Sequence, residues 1–432
     1  MSSSNAEGVA ILGAGLAGLG CANAVPGARV FEAQSHPGGH AYSHDLHGVH
    51  FDEGAHISHT RNTDFLEMIY KQAGEVNCLE PSVVRNVWKG EWMPYPVQNN
   101  LRELPEALRV SALTDLIMAH VGQGAEAPAN YNEWCQRQYG ATLTETFYEA
   151  FTRKYWRRET QELATDWLGG RLIPSDLPNI ISGAFSDKVK RQAVFKKFHY
   201  PAKGGFFAFF KPLYDALDVR YDARVRSIDL RTHLLEFESG ASTSFESVAS
   251  SIPLPTLIRL IKDVPAPVRE AAELLHHTKL LCVNMVVSKS SLTNAHWCYI
   301  YDEDVQAARV SFPSNLAPGS APEGCATLQA EIFRDHREDW NVEQLTQATV
   351  KDMARLLTFD PKHDVVAVHG VPVSHAYVIS DQQRAGAVAQ IMEWLEAQHI
   401  VSMGLYGKWH YVWSDVAYRS GADAGQALKE RL

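Results

Sequence analysis

The chain has 432 residues, 45% of them hydrophobic and 21% charged, which supplies enough apolar material for a large core and, by length, two or three structural domains. Its 50 acidic and 40 basic residues give a formal net charge of -10, which argues against general affinity for nucleic acid or an anionic membrane surface, but not against an anionic small molecule held by local arginines. The six cysteines (Cys21, Cys78, Cys135, Cys282, Cys298 and Cys325) are scattered with no C-x-x-C pair, so neither a disulfide framework nor a zinc ribbon is indicated and a reducing, cytoplasmic setting is expected.

In chain order, residues 9–12 form a short apolar run entering a glycine turn, residues 16–25 read as a small-residue helix, and residues 29–32 as a second strand: a βαβ opening. The same stretch lacks a cationic flank and stops at Pro26-Gly27, so it does not read as a leader or a membrane span. Residues 101–166 are mostly helical in pattern, with 123–130 as a loop. Short β-like runs follow around Val225, Ile228 and Leu235, then a turn at Ser239-Gly240 and a strand at 248–252 closed by Pro253 and Pro255. Residues 282–288, 297–301 and 326–333 suggest a second sheet, and 342–357 and 381–399 suggest helices. The last segment, 404–432, reads as an aromatic strand passing through Ser420-Gly421 into a closing helix.

Gly13-Ala14-Gly15-Leu16-Ala17-Gly18 is a G-x-G-x-x-G between a strand and a helix. Gly13 permits the tight turn, Gly15 lets the backbone approach a pyrophosphate, and Gly18 lets helix and strand pack closely. Glu32 ends the next strand, where an acid accepts a hydrogen bond from a ribose hydroxyl. The second glycine turn, Gly38-Gly39 in His36-Pro37-Gly38-Gly39-His40, favours FAD over NAD. No second G-x-G-x-x-G occurs, so a separate NAD(P)H domain is not expected and the flavin needs an external reductant, NAD(P)H or a reductase. The histidines from His36 to His59 lack clean metal-ligand spacing, and no metal is expected.

The G-x-H-x-x-H pattern at Gly54-Ala55-His56-Ile57-Ser58-His59, and above all Trp92-Met93-Pro94-Tyr95-Pro96-Val97-Gln98-Asn99-Asn100, resemble motifs of the UDP-galactopyranose mutases. The resemblance continues at Tyr155-Trp156, at Trp167-Leu168-Gly169-Gly170-Arg171, at 200–205, at Trp297-Cys298-Tyr299, at Arg309 and at Gly407-Lys408-Trp409-His410-Tyr411. It implies an α/β fold: a discontinuous Rossmann-like FAD-binding domain (1–80, 198–252 and 400–432), a helical substrate domain (101–197), and a mixed or antiparallel sheet domain (81–100 and 253–399).

The resemblance also implies chemistry. Reduced FAD would attack the anomeric carbon of a nucleotide sugar through N5, and the ring would open and reclose in the other size, interconverting pyranose and furanose. Arg171 and Arg309 would clamp the diphosphate, because two guanidiniums hold it bidentately and stabilise it as a leaving group. His56 would lie against the flavin ring. Phe147, Trp156, Tyr299, Tyr377 and Tyr411 would shape the substrate pocket with Tyr95, Gln98 and Asn99. Val225, Tyr411 and Asp415 are further candidates on the cofactor side. The basic run Lys188, Lys190, Arg191, Lys196 and Lys197 reads first as a solvated face.

Three positions depart from the pattern: Leu316 where eukaryotic members have a phosphate-contacting tyrosine, Phe195 where they have an asparagine, and Ala55 before the flavin histidine. The first two bear on the choice of sugar and nucleotide; Ala55, in place of a glycine or proline, is a milder change. A flavin oxidase or dehydrogenase of the amine-oxidase and protoporphyrinogen-oxidase class is the alternative, since it shares both glycine turns. A non-catalytic flavin or nucleotide sensor is a third reading. A homo-oligomer is compatible with either enzyme.

Overall fold

The computed structural model describes residues 8–122, 126–169, 171–186, 188 and 196–430. Its nucleotide-binding part is a five-stranded sheet in the order Ile400–Ser402, Ser247–Ser250, Val9–Leu12, Arg29–Phe31, Val219–Arg220, with every neighbouring pair parallel. All four residues of Val9–Leu12 are buried, as an apolar run at the centre of a parallel sheet requires.

The first helix, Leu16–Ala24, runs against the C-terminal helix, Ser414–Lys429, at unusually short range. A Cβ added at Gly20 would lie 2.1 Å from the Tyr418 carbonyl oxygen, and one at Gly421 would lie 1.8 Å from that of Ala17. These glycines are what let the two backbones touch, so the last element of the chain holds the first helix in place. This corrects the expectation for 404–432. The strand comes earlier, at Ile400–Ser402; Gly404, at φ +75°, opens a short helix, Gly404–Gly407; and Ser420-Gly421 lies inside the closing helix.

The second sheet has seven strands in the order Val365–Val373, Thr278–Val287, Ala326–Asp335, Arg309–Ser311, Trp297–Ile300, Val84–Trp88, Glu91–Pro94. All pairs are antiparallel except Trp297–Ile300 with Val84–Trp88. Along Ala326–Asp335 the side chains alternate. Leu328, Ala330 and Ile332 join the core under helix Val342–Leu357, while Thr327, Gln329 and Glu331 are buried on the opposite face. These buried polar residues support the loop that enters the cavity described below: Gln329 donates to the Asp52 carbonyl and Glu331 accepts from Ala55 N–H.

Helices Glu106–Val121, Tyr131–Leu143, Ala150–Tyr155 and Leu177–Phe185 make the helical part. A π-helical stretch, Thr144–Glu149, lies between the second and third of these; it carries Phe147 and Tyr148 to the cavity wall. Among the described residues no helix is long and apolar enough to cross a membrane.

Candidate active site

A cavity of roughly 1000 Å³ runs from the glycine turns of the parallel sheet, past the 53–57 loop, to the aromatic face of the helical part. At its nucleotide end the two glycine turns pack on each other. Gly38 N–H donates to the Ala14 carbonyl at 2.8 Å, and a Cβ on Gly39 (φ +53°) would come within 3.2 Å of the Gly15 Cα. A side chain at Gly13 (φ +96°) would meet the Ser251 hydroxyl at 2.4 Å. Glu32 is buried beside this cradle and accepts from the backbone N–H groups of Ala14 (2.7 Å) and Gln34 (2.8 Å), which fixes its carboxylate at the cavity edge. Exposed amides at a helix N-terminus, with no side chains filling the space, fit a dinucleotide pyrophosphate.

His56 sits on a loop held from below. Asp52 accepts from the Ser43 hydroxyl (2.6 Å), the Tyr200 hydroxyl (2.8 Å) and Phe206 N–H (2.9 Å), while Gln329 Nε2 donates to its carbonyl at 2.7 Å. Phe206 in turn packs against the His56 ring at 5.2 Å. His56 Nδ1 lies 2.9 Å from the Gly54 carbonyl, which can only accept, so Nδ1 carries the proton and Nε2 is left as an acceptor. Burial lowers the His56 pKa, the Asp52 carboxylate opposing it. The imidazole is therefore neutral at neutral pH.

Arg309 and Glu331 are direct cross-strand partners. Glu331 is fully buried; its oxygens accept from Arg309 Nε at 3.0 Å and Nη2 at 2.7 Å, and from Ala55 N–H at 2.8 Å. One carboxylate thus ties the arginine to the residue before His56. Burial works against the guanidinium charge, but Glu331 and the surrounding phenols outweigh it, and Arg309 stays protonated. Its Nη2 also reaches the Tyr377 hydroxyl at 3.4 Å.

Arg171 enters from the other side. It donates to the carbonyls of Trp167 (3.0 Å) and Tyr411 (2.5 Å), and its guanidinium lies 4.1 Å from the Tyr411 ring centroid. Tyr411 meets Tyr377 edge-on at 5.1 Å, so a row Arg171, Tyr411, Tyr377, Arg309 crosses the cavity. Among the described residues no carboxylate pairs with Arg171, and its buried Nε has no hydrogen-bond partner.

The cavity collects most of the residues singled out in the sequence. Gly13, Gly15, Glu32, Gly38, Gly39, Val225 and Asp415 line it at the nucleotide side; His56, Arg171, Arg309, Tyr95, Gln98, Phe147, Trp156, Tyr299, Tyr377 and Tyr411 line the rest. Gly18 and Asn99 do not. Gly18 packs tightly on the glycine loop, where a Cβ would fall 2.0 Å from the Gly13 carbonyl oxygen. The Asn99 carbonyl abuts Gly183 of helix Leu177–Phe185, so its backbone serves helix packing. Leu316 is also away from the wall, in the core beside Trp297, and no substrate contact follows from it. Phe195, Lys190 and Arg191 lie outside the described residues; Lys188, Lys196 and Lys197 are exposed.

Sequence reasoning passed over Glu331, Glu53, His40 and His44. Glu331 had one signal, the T-x-Q-x-E alternation on an otherwise apolar strand. Glu53 is held at a pKa of about 2: burial raises it, and the imidazoles of His40 and His44 more than reverse this.

Residues 16–390 match the family model of flavin containing amine oxidoreductases. The chain belongs to that family. As a member of it, the protein is an FAD-dependent enzyme, and the glycine cradle is the place in this fold with room for the cofactor's pyrophosphate. Solved structures share the fold. Reduced UDP-galactopyranose mutase superposes with a TM-score of 0.90 at 22% identity, over 98% of this chain and 94% of that one. A candidate protoporphyrinogen oxidase from Exiguobacterium sp. 255-15 gives 0.74 at 17% identity, over 98% of both chains. Putrescine oxidase with bound putrescine gives 0.62 at 16% identity, over 98% of this chain and 99% of that one.

Proposed function

We propose that this flavoenzyme is an isomerase that interconverts the pyranose and furanose forms of a nucleotide sugar, UDP-galactose or a relative. The observation that carries the reading is how the two arginines of the cavity wall are paired. Arg309 is held by Glu331, whereas Arg171, with no carboxylate partner among the described residues, brings an unpaired positive charge beside the Tyr411 and Trp413 rings. Such a wall suits a diphosphate flanked by flat or ring-shaped groups. The unpaired Arg171 charge opposes a diamine.

Reduced FAD, maintained by an external reductant such as NAD(P)H or a reductase, would supply the electron pair for the new bond to the anomeric carbon as the bond to the diphosphate oxygen breaks. Arg171 and Arg309 hold the diphosphate, and they stabilise its charge as it leaves and returns. Tyr377 and Tyr411, between the two arginines, orient the sugar. His56 presents Nε2 as an acceptor on the flavin side of the cavity.

The second reading, an oxidase, has the family model and the aromatic lining in its favour. Ligand charge separates the two. UDP is expected to quench intrinsic tryptophan fluorescence saturably, with Arg171→Ala weakening binding by on the order of ten-fold or more, the worth of one charged hydrogen-bonded contact. A diamine such as putrescine is expected to have no effect. Quenching by the diamine alone would overturn the mutase reading. His56→Ala is expected to slow flavin reduction by dithionite on the order of ten-fold, the value of one hydrogen bond. Unchanged stopped-flow traces would remove His56 from the flavin.

A further inference from the structure

The turn His36-Pro37-Gly38-Gly39-His40 and the hairpin after it place a carboxylate between two imidazoles on the cavity wall. Glu53 Oε2 lies 3.1 Å from His40 Nδ1, and Oε1 lies 2.9 Å from His44 Nε2. All three side chains line the cavity that also holds the glycine cradle and His56. Neither clamp arginine is hydrogen-bonded to the cluster, and the mutase reading gives it no task.

Each imidazole that donates to the carboxylate through one nitrogen keeps a lone pair on the other: Nε2 in His40 and Nδ1 in His44. The cluster therefore carries one negative charge with both rings neutral and gains one positive charge for each proton taken at those atoms. The groups facing it are His36 and Tyr42 beside His44, and His56, His375 and Tyr406 around His40, the last with ring centroids 5.2 Å apart. Of the carboxylates next to the cluster in sequence, Asp45 is exposed and Asp52 is turned to Ser43, Tyr200 and Phe206. His375 and His56 are kept neutral chiefly by burial, and Glu53 is ionised. Among these neighbours, His40 and His44 are the imidazoles joined directly to an ionised carboxylate.

We propose that His40–Glu53–His44 is a proton-accepting site coupled to reduction of the bound flavin. Two electrons from the reductant and one proton at N5 convert the flavin to a form that carries one additional negative charge. That charge would raise the proton affinity of nearby imidazoles, on the order of ten-fold or more at the effective dielectric of protein sites. A second proton is then taken from solvent at His40 Nε2 or His44 Nδ1, and the cavity gains no net charge. The inference rests on the flavin cofactor of the family and not on the identity of the substrate.

The test counts protons. FAD-loaded enzyme is reduced anaerobically with dithionite in weak buffer containing a pH-indicator dye, with free FAD titrated in parallel and no nucleotide sugar present. Near pH 7 the enzyme is expected to take up more protons per flavin than free FAD, an excess of at most about one. The excess is expected to vanish in the double variant His40→Asn/His44→Asn and to fall by at least half in Glu53→Gln, which keeps the side-chain shape and serves if the double variant does not retain FAD. No excess in the wild type, or an undiminished excess in the loaded variants, overturns the proposal. Because no sugar is present, neither result depends on the mutase activity.

Discussion

Replacing Arg309 with alanine is expected to destabilise the fold by about 3–5 kcal/mol, the cost of leaving a buried charge without its partner. The carboxylate left behind, Glu331, is fully buried in the second sheet and otherwise keeps the Ala55 N–H bond. The thermal midpoint of the FAD-loaded variant should fall by several degrees. The double variant Arg309→Ala/Glu331→Gln removes both charges and is expected to recover at least half of that loss. Turnover should behave differently: if Arg309 stabilises the leaving diphosphate, activity falls on the order of a hundred- to a thousand-fold in both variants. An Arg309→Ala protein as stable as the wild type would mean that the pair does not carry the sheet. Full turnover in it would remove Arg309 from the chemistry.

The second large effect lies far from the sugar. Gly421→Ala puts a methyl group 1.8 Å from the Ala17 carbonyl oxygen, a contact that backbone atoms cannot absorb without moving a helix. Overpacking of this kind costs about 1–3 kcal/mol and at times more. Ala17 belongs to the helix whose N-terminus opens the glycine cradle, so the variant should also purify with less FAD and release it faster on dilution. Gly386→Ala is the control: it lies on the exposed face of helix Arg384–Ala397 with nothing within 4 Å of an added Cβ, and should be neutral or slightly stabilising. If both variants retain FAD equally well, the C-terminal helix does not set the cradle's geometry.

That same glycine shows where the sequence runs out. Ser420-Gly421 has the composition of a turn, and only the opposing helix, about 400 residues away in the chain, explains why a glycine sits mid-helix. The βαβ opening, by contrast, was legible because its signals are local: an apolar run, G-x-G-x-x-G and an acid at the end of the next strand. Helix 342–357 was legible for a similar reason, its 3.6-residue periodicity. Strand Val365–Val373 was missed because it is an edge strand, half exposed, with no clean alternation.

At the site, residues inside contiguous motifs could be found from the chain alone, as His56 and Arg171 were. Residues whose role depends on register could not. Glu331 acquires its meaning from lying opposite Arg309, a pairing across 22 positions that no short motif records. His40 and His44 looked like part of a histidine-rich surface loop until the hairpin Ser43–Leu46 with Val49–Asp52 brought Glu53 between them.

The most direct test of the central claim is anaerobic chromatography of UDP-galactofuranose, and separately of UDP-galactopyranose, incubated with dithionite-reduced and with oxidised enzyme. The account predicts interconversion in the reduced sample alone, or the same pattern with a related nucleotide sugar. Absence of a nucleotide-sugar response across such a panel, together with reduction of the oxidised flavin by an amine or a porphyrinogen, would contradict it.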